Sequence, residues 1–355
     1  MGVSIMKTKQ YKASSFAILA ATLYAISSPI SKLLLKEIPP TLMASFLYLG
    51  AGIGMSIVGF IKHKKYKEKT EARLTKHELP LTASMVVLDI AASIFLMIGL
   101  TMTTSANASL LNNFEIVATA LIALLIFKES ISKRLWGAIF LITISSIILS
   151  VEDISSFSFS FGSIFILLGC ICWGLENNCT RKLSIKDPLE VVVIKGIGTG
   201  IGSLLIALAL GEQTNNVLYI IAALLLGFFA YGLSIFFYIY AQRELGAART
   251  SAYYAIAPFI GVGLSLIIFR EIPTVYFVIA LVIMIIGTFF ASTEVHNHKH
   301  SHIVITHEHS HSHEEGHHNH IHDKTIMGKH NHMHTHDEYT HSHKHTQDIH
   351  HSHAH

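Results

Sequence analysis

Two groups of residues in this chain could do chemistry, and they sit in opposite surroundings. The first is a run of histidines at the carboxyl end. His296, His298, His300 and His302 alternate with other residues, as do His307, His309, His311 and His313. Further groups follow at His317, His318, His320 and His322, at His330, His332, His334 and His336, and at His341, His343 and His345. The chain holds 25 histidines, and only His63 and His77 precede the tail, which leaves 23 within it. Imidazole is a borderline ligand suited to Zn, Ni, Cu and Co. Alternating histidines on a flexible chain can supply four nitrogens with little strain. The composition therefore points to divalent metal ions held at several interchangeable, buffering sites, without selecting Ni, Zn, Co or Cu. A pH sensor is a second use of many groups that titrate near neutrality. A purification tag is the dull alternative, but tags are short consecutive runs and this segment covers residues 296–355. Apolar content is low, so the tail is expected to be disordered when free.

The second group lies inside apolar runs. Asp89, Glu115, Glu176 and Lys195 stand where neighbouring residues are almost all hydrophobic, with the amides Asn107, Asn112, Asn113, Asn177 and Asn178 nearby. Ionisable residues in hydrocarbon are costly and by default mark a pathway. One reading has Lys195 meeting one or more of the carboxylates across a cavity. Three acids against one base leave surplus negative charge, which suits a cationic substrate or a proton taken up by a carboxylate. The other reading is that acids and amides are glue between helices. Pro29 and Pro258 each remove a backbone donor and free a carbonyl four residues earlier, at Ala25 and Tyr254. Each is either a hinge or an ordinary kink. Trp173 and Tyr24 either line the cavity or pack. Cys170, Cys172 and Cys179 read as small core residues on one helix rather than a disulfide frame. Gly196, Gly198, Gly200 and Gly202 allow close helix approach.

The elements that must position these groups are membrane helices. The chain has 355 residues, 51% hydrophobic and only 14% charged, with the charges gathered in short breaks and at the ends. Apolar runs of about 20 residues have the length of a bilayer-spanning helix. Backbone in lipid must satisfy itself, so helices or a closed barrel are the options. The runs are too long for barrel strands and lack their alternation. An all-α membrane protein of ten spans follows, at about 14–35, 41–61, 80–100, 105–127, 134–151, 161–179, 189–210, 217–240, 247–269 and 274–292. The first run is too long for a signal peptide and lacks a small-residue cleavage pattern.

Lys and Arg in short loops set the orientation. With the amino terminus inside, inner segments hold Lys7, Lys9, Lys12, the cluster Lys62 to Lys76, Lys128, Lys133, Arg134, Arg181, Lys182, Lys186, Arg243 and Arg249. Outer segments hold only Lys36 and Arg270. Both termini are therefore expected in the cytosol, and the protein in the plasma membrane.

The chain also repeats. Leu23-Tyr24-Ala25 aligns with Cys172-Trp173-Gly174, Ser31-Lys32 with Thr180-Arg181, and Pro39 with Pro188, at a spacing of 149 residues. Phe127-Lys128-Glu129 aligns with Phe269-Arg270-Glu271 at 142. The seven-residue difference fits the longer basic loop 62–79 of the first half. Each half holds five spans, and an odd number inverts the second copy. Inverted repeats of this kind typify secondary transporters, which bind substrate near the midplane between the halves. The expected organisation is an amino-terminal segment (1–13), a first repeat (14–151), an outer linker (152–160), a second repeat (161–292) and the His-rich tail (293–355).

Together these stretches resemble two EamA-type domains of the drug/metabolite transporter (DMT) superfamily. The resemblance rests on Tyr24…Pro29…Lys32, Pro39-Pro40, Ala106…Glu129, the run Cys172 to Lys182, Asp187-Pro188…Lys195-Gly196, and Tyr254 to Phe259…Glu271. It covers about 14–292 and leaves the tail outside. It implies a secondary transporter, in a family that includes exporters of amino acids, metabolites and drugs and that generally runs on a proton gradient or exchange. Two departures stand out. Phe46 occupies a site where the family often has a basic residue, kept here as Lys195 in the second half. Glu115-Ile116 stands where a proline is usual, kept as Pro258.

The expected function is an exporter of a small metabolite or drug-like solute, its pathway lined by Asp89, Glu115, Glu176, Asn177, Lys195, Asn112, Trp173, Tyr24 and Pro258, with a metal-sensing or metal-buffering tail. In one alternative the metal is itself the cargo, collected by the tail. Against it, the spans contain no histidine. In another, the bundle only anchors a metal store. No nucleophile–base pair or zinc-protease motif suggests an enzyme, and no tightly bound cofactor is expected. Partners would be the lipid bilayer, a small solute, divalent metal ions and, as one option, a second copy in a homodimer, but not nucleic acid.

Overall fold

A computed structural model describes residues 2–65, 73–127, 131–153, 158–183, 186–245, 250 and 253–292, with 296–302, 305–311, 330–336, 339–345 and 353–354 in the tail. Its membrane part is a helical bundle. In chain order the helices are α1 (Gly2–Ala25), α2 (Ser27–Leu34), α3 (Pro40–Lys65), α4 (Leu79–Met102), α5 (Ser105–Leu111), α6 (Phe114–Phe127), α7 (Lys133–Ser150), α8 (Phe161–Leu183), α9 (Pro188–Ala209), α10 (Val217–Gly227), α11 (Ser234–Leu245), α12 (Ala257–Phe269) and α13 (Val275–Ser292). A π-helical turn, Phe228–Leu233, joins α10 to α11.

Among the described residues nine helical stretches are long and apolar enough to cross a membrane. The expected tenth, at 247–269, corresponds to the shorter apolar helix α12, and residues 246–249 and 251–252 lie outside the described part. The other boundaries fall close to those expected. Between the halves, strands β1 (Val151–Asp153) and β2 (Ser158–Phe159) pair across part of the linker.

Four spans are interrupted near their middles, each for a local reason. In the first, α1 ends at Ala25 and α2 starts at Ser27, because Pro29 has no N–H to continue the ladder. In the fourth there is no proline. There the break at Asn112–Asn113 is closed by tighter bonds: Asn113 N–H and Nδ2 both donate to the Leu110 carbonyl at 3.2 and 3.1 Å, and Glu115 N–H donates to Asn112 O at 3.1 Å. The eighth carries the π turn, and the ninth becomes helical again only at Ala257, with Pro258 in its first turn.

Packing pairs α3 with α9, α4 with α8, α1 with α11 and α7 with α13. Exchanging the two halves converts the α4–α8 pair into the α11–α1 pair and each of the others into itself, as an inverted repeat requires. Helix α3 sits at the centre. A Cβ on Gly52 would lie 2.5 Å from the Ile197 backbone nitrogen, and one on Gly196 would lie 2.4 Å from the Gly52 nitrogen. Gly200 meets Leu49 of α3, whereas Gly198 and Gly202 face Val86 and Ile90 of α4. The glycines of α9 therefore serve two neighbours: positions 196 and 200 admit α3, and positions 198 and 202 admit α4. Small residues let membrane helices approach this closely, where dispersion and polar contacts supply the attraction.

The described stretches of the tail pair as short strands. Strands β3 (His296–His302) and β6 (Tyr339–His345) pair antiparallel, as do β4 (Ile305–His311) and β5 (His330–His336), and β7 (His353–Ala354) adds to β3. The two-residue period of the histidines suits a strand. The register sets His298 opposite His343 and His309 opposite His332.

Candidate substrate pathway

At the junction of α3, α4, α8 and α9 the chain buries three charges together. Asp89 of α4 is fully buried, Glu176 of α8 is 1% exposed and Lys195 of α9 is 7% exposed. The Lys195 ammonium lies 3.1 Å from Asp89 Oδ2 and 3.0 Å from Glu176 Oε1. Asp89 Oδ1 accepts from the Tyr48 hydroxyl and from Trp173 Nε1, each at 3.1 Å. Thr180 donates to Glu176 Oε1 one helical turn on. Residues three and four apart share a helix face, so Trp173, Glu176 and Thr180 of α8 come to this site together. An ion taken out of water costs several kcal/mol even after relaxation, and a partner offsets this only with good geometry and further hydrogen bonds. Asp89 has both, through one cation and two neutral donors.

Glu115 belongs to an adjoining site. It is partly buried at the start of α6 and accepts from Asn177 Nδ2 at 2.6 Å. Asn177 also reaches Thr119 at 3.3 Å, and Asn178 donates to the carbonyls of Gly174 and Thr119. Asn112 Oδ1 is buried without a hydrogen-bond partner among the described residues. Pro258 stands in the first turn of α12. Tyr24 is packed edge-on against Tyr231 at 5.9 Å and tilted against Tyr254 at 5.8 Å.

Of the residues singled out in the sequence, the structure brings Asp89, Glu176, Lys195 and Trp173 into one cluster. Glu115 and Asn177 lie beside it, and Tyr24 lies against Tyr231 and Tyr254. The repeat explains that division. At the spacing of 149, Glu176 corresponds to Ser27 and Lys195 to Phe46; at 142, Asp89 corresponds to Tyr231. Ser27 Oγ bonds the Tyr231 hydroxyl at 3.0 Å. The same three-span corner is thus built twice, once from charges and once from neutral groups.

Two contributors carry no distinctive signal in the sequence. Tyr48 and Tyr231 are ordinary tyrosines in apolar runs. Lys32, part of a repeat motif, donates to the carbonyls of Leu100, Thr101 and Thr103 at 2.6, 3.3 and 3.0 Å, closing the end of α4. Polar ties join the halves at opposite faces. Glu212 accepts from the amides of Thr41 and Leu42 at 3.4 and 2.7 Å, at the amino end of α3. On the other face Lys186 pairs with Glu78 at 3.2 Å, and Glu190 accepts from Leu74 N–H at 3.0 Å. All three cysteines are free thiols, with Cys170 buried against the broken fourth span. A separate open groove of about 1000 Å³, lined by Thr103, Asn107, Glu271 and Tyr276 among others, lies near the ends of α4, α7 and α12 and does not include the charge cluster.

In the tail, His313, His317, His318, His320 and His322 lie outside the described residues. Among the described residues no group of three or more His, Cys, Asp or Glu is placed to hold a metal ion.

Known proteins resemble this chain. The chain is 27% identical over 290 residues to an uncharacterized transporter of Methanothermobacter thermautotrophicus, covering 77% of this chain and 84% of that protein. It is 26% identical over 207 residues to the uncharacterized transporter YyaM of Bacillus subtilis, covering 55% and 67%. A crystal structure with 15% sequence identity superposes with a TM-score of 0.57 over 79% of this chain and 96% of its own, a likeness of fold. Residues 12–151 and 160–293 each match one family, one match per half, and on that evidence the chain is a multi-pass membrane protein of the EamA-like transporter family.

Proposed function

We propose that this protein is a secondary-active exporter of a small solute, which passes between the two inverted halves beside Asp89, Glu115, Glu176 and Lys195. The observation that carries the reading is the burial of three charges where both halves meet. Three buried charges are an expensive way to hold helices together, since well-packed apolar groups of similar volume serve as well or better. Charges that exchange partners during passage have a reason to be there. Breaks in corresponding spans of the two halves, the fourth and the ninth, support the same location, because discontinuous helices build the midplane sites of such folds. The Lys and Arg asymmetry supports cytosolic termini in the plasma membrane.

The tail, in this proposal, binds divalent metal ions and acts as a sensor or buffer at the cytosolic mouth. A flexible tether would hold its ions at roughly millimolar local concentration. Metal as the cargo is less well supported: the histidines that precede the tail, His63 and His77, fall at the ends of spans, and Asp89 and Glu176 are already engaged by Lys195.

The test is uptake and counterflow in proteoliposomes of the full chain, screened over amino acids, amines, organic anions and Ni, Co, Zn and Cu ions, with and without residues 296–355. Solute movement that survives deletion, with metal response lost, is the expected result. Metal movement lost on deletion, with no other solute carried, would overturn it.

A further inference from the structure

The wall beside the charges narrows the class of solute. Tyr48, whose hydroxyl bonds Asp89, packs on Tyr231 at 5.2 Å between ring centroids. Tyr231 meets Tyr24 at 5.9 Å, Tyr24 meets Tyr254 at 5.8 Å, and Tyr254 meets Tyr238 at 4.9 Å. Five tyrosines from the first, second, eighth and ninth spans thus form one continuous aromatic surface starting at the carboxylate cluster. Tyr24 and Tyr254 are only partly buried although they sit at the helix breaks. A Cβ on Gly261 of the ninth span would lie 3.0 Å from Ser109 Oγ of the fourth and 3.1 Å from the Ala25 carbonyl of the first, so the fourth span, which carries Glu115, meets the other two beside these tyrosines.

The charge around this surface is negative. Lys195 is shared by Asp89 and Glu176, so that cluster carries one surplus negative charge when both are ionised. Glu115 adds another carboxylate whose hydrogen-bond partner here is a neutral amide. Asn112 Oδ1, one turn before Glu115 and 7% exposed as a residue, is an acceptor with no donor among the described residues. Ring faces attract cations through their quadrupole, and carboxylates and unpaired acceptor oxygens act in the same direction. An anionic solute would be repelled by the carboxylates and would meet negative potential at the ring faces and the free acceptor.

We infer that the solute carried is an organic ammonium ion, its charge held between Glu115 and the tyrosine faces of Tyr24 and Tyr254. This inference rests on the transport reading above and names its substrate class.

The test uses the full-length protein in proteoliposomes and two permanently charged probes with the same ring, phenyltrimethylammonium and benzenesulfonate, with phenylalanine as a zwitterion. The expected result is counterflow of phenyltrimethylammonium above protein-free vesicles and none of benzenesulfonate. Unlabelled organic ammonium ions should compete and organic anions should not, a readout that needs no variant. Glu115→Gln should cut counterflow at least tenfold, with Glu115→Asp restoring part of it.

Binding gives an independent measure. The chain has two tryptophans, and Trp136 is half-exposed on the outside of α7. Trp136→Phe therefore leaves Trp173, which bonds Asp89, as sole reporter. Its emission should change saturably with phenyltrimethylammonium, and Glu115→Gln should raise the Kd at least tenfold. Counterflow of benzenesulfonate or phenylalanine without the cation would overturn the substrate class and leave the transport reading intact. Movement of no solute across the whole screen would overturn both.

Discussion

Replacing Lys195 by methionine keeps the length of the side chain and removes its charge. The ammonium lies 3.1 Å from Asp89 and 3.0 Å from Glu176, with all three groups almost fully buried. Breaking a buried pair by removing one partner costs about 3–5 kcal/mol, because the other charge is left uncompensated. Here two carboxylates lose one shared cation. Asp89 keeps its bonds from Tyr48 and Trp173, and Glu176 keeps Thr180, so the loss is not doubled. At about 2–4 °C per kcal/mol for a domain of 150–250 residues, the melting temperature should fall by roughly 6–20 °C. Thermal unfolding in detergent can be followed with a thiol-reactive dye, since the free Cys170 is buried in the folded state. The penalty should shrink as pH falls, because a protonated carboxyl needs no cation. Adding Asp89→Asn to Lys195→Met should recover about 1 kcal/mol or more, the coupling expected of residues in one network. A loss below about 0.5 kcal/mol, the range of a substitution away from any special feature, would refute the reasoning. So would strict additivity of the two substitutions.

Gly52→Val should destabilise by about 1–3 kcal/mol through overpacking, since even a Cβ there meets the α9 backbone; the same melting assay reads it, and an unchanged midpoint would show that α3 and α9 do not approach so closely. Glu212→Gln keeps an acceptor at the amino end of α3 but removes the charge, and should cost about 0.3–1 kcal/mol, with a loss that shrinks in high salt. Calorimetric titration of the full chain with Ni or Zn ions should show several bound ions, and none after removal of residues 296–355. Affinity should weaken by roughly tenfold or more between pH 7.5 and 5.5, because imidazole binds metal only when neutral; metal binding unaffected by the deletion would move the site elsewhere.

Much of the bundle was legible because the relevant physics is local. A run of apolar residues can satisfy its backbone in lipid only as a helix, so span positions follow from hydropathy, and the inverted pairing of halves follows from repeated residues at two spacings. Pro29 and Pro258 announced their breaks through a missing donor. The break at Asn112–Asn113 had no such marker, and Asn side chains that turn back on their own helix look in sequence like any other polar pair. Within the expected ninth span, Tyr253 and Tyr254 are helical and a turn at residues 255–256 precedes the helix Ala257–Phe269; hydropathy gives no sign of such a turn inside an apolar run.

The sequence by itself determined that Asp89, Glu115, Glu176 and Lys195 would be buried in a membrane bundle, since their neighbours leave no other place for them. Which of them meet was decided only by tertiary structure. Lys195 could reach any acid within a side-chain length, and the choice depends on how α4, α8 and α9 are rotated and how near they come. That approach is set by glycines such as Gly198 and Gly202, close to Lys195 in the chain, whose neighbours Val86 and Ile90 come from the other half, and by tyrosines whose partners also come from the other half. Contacts of that kind have no periodic signature, because the residues that form them belong to different helices.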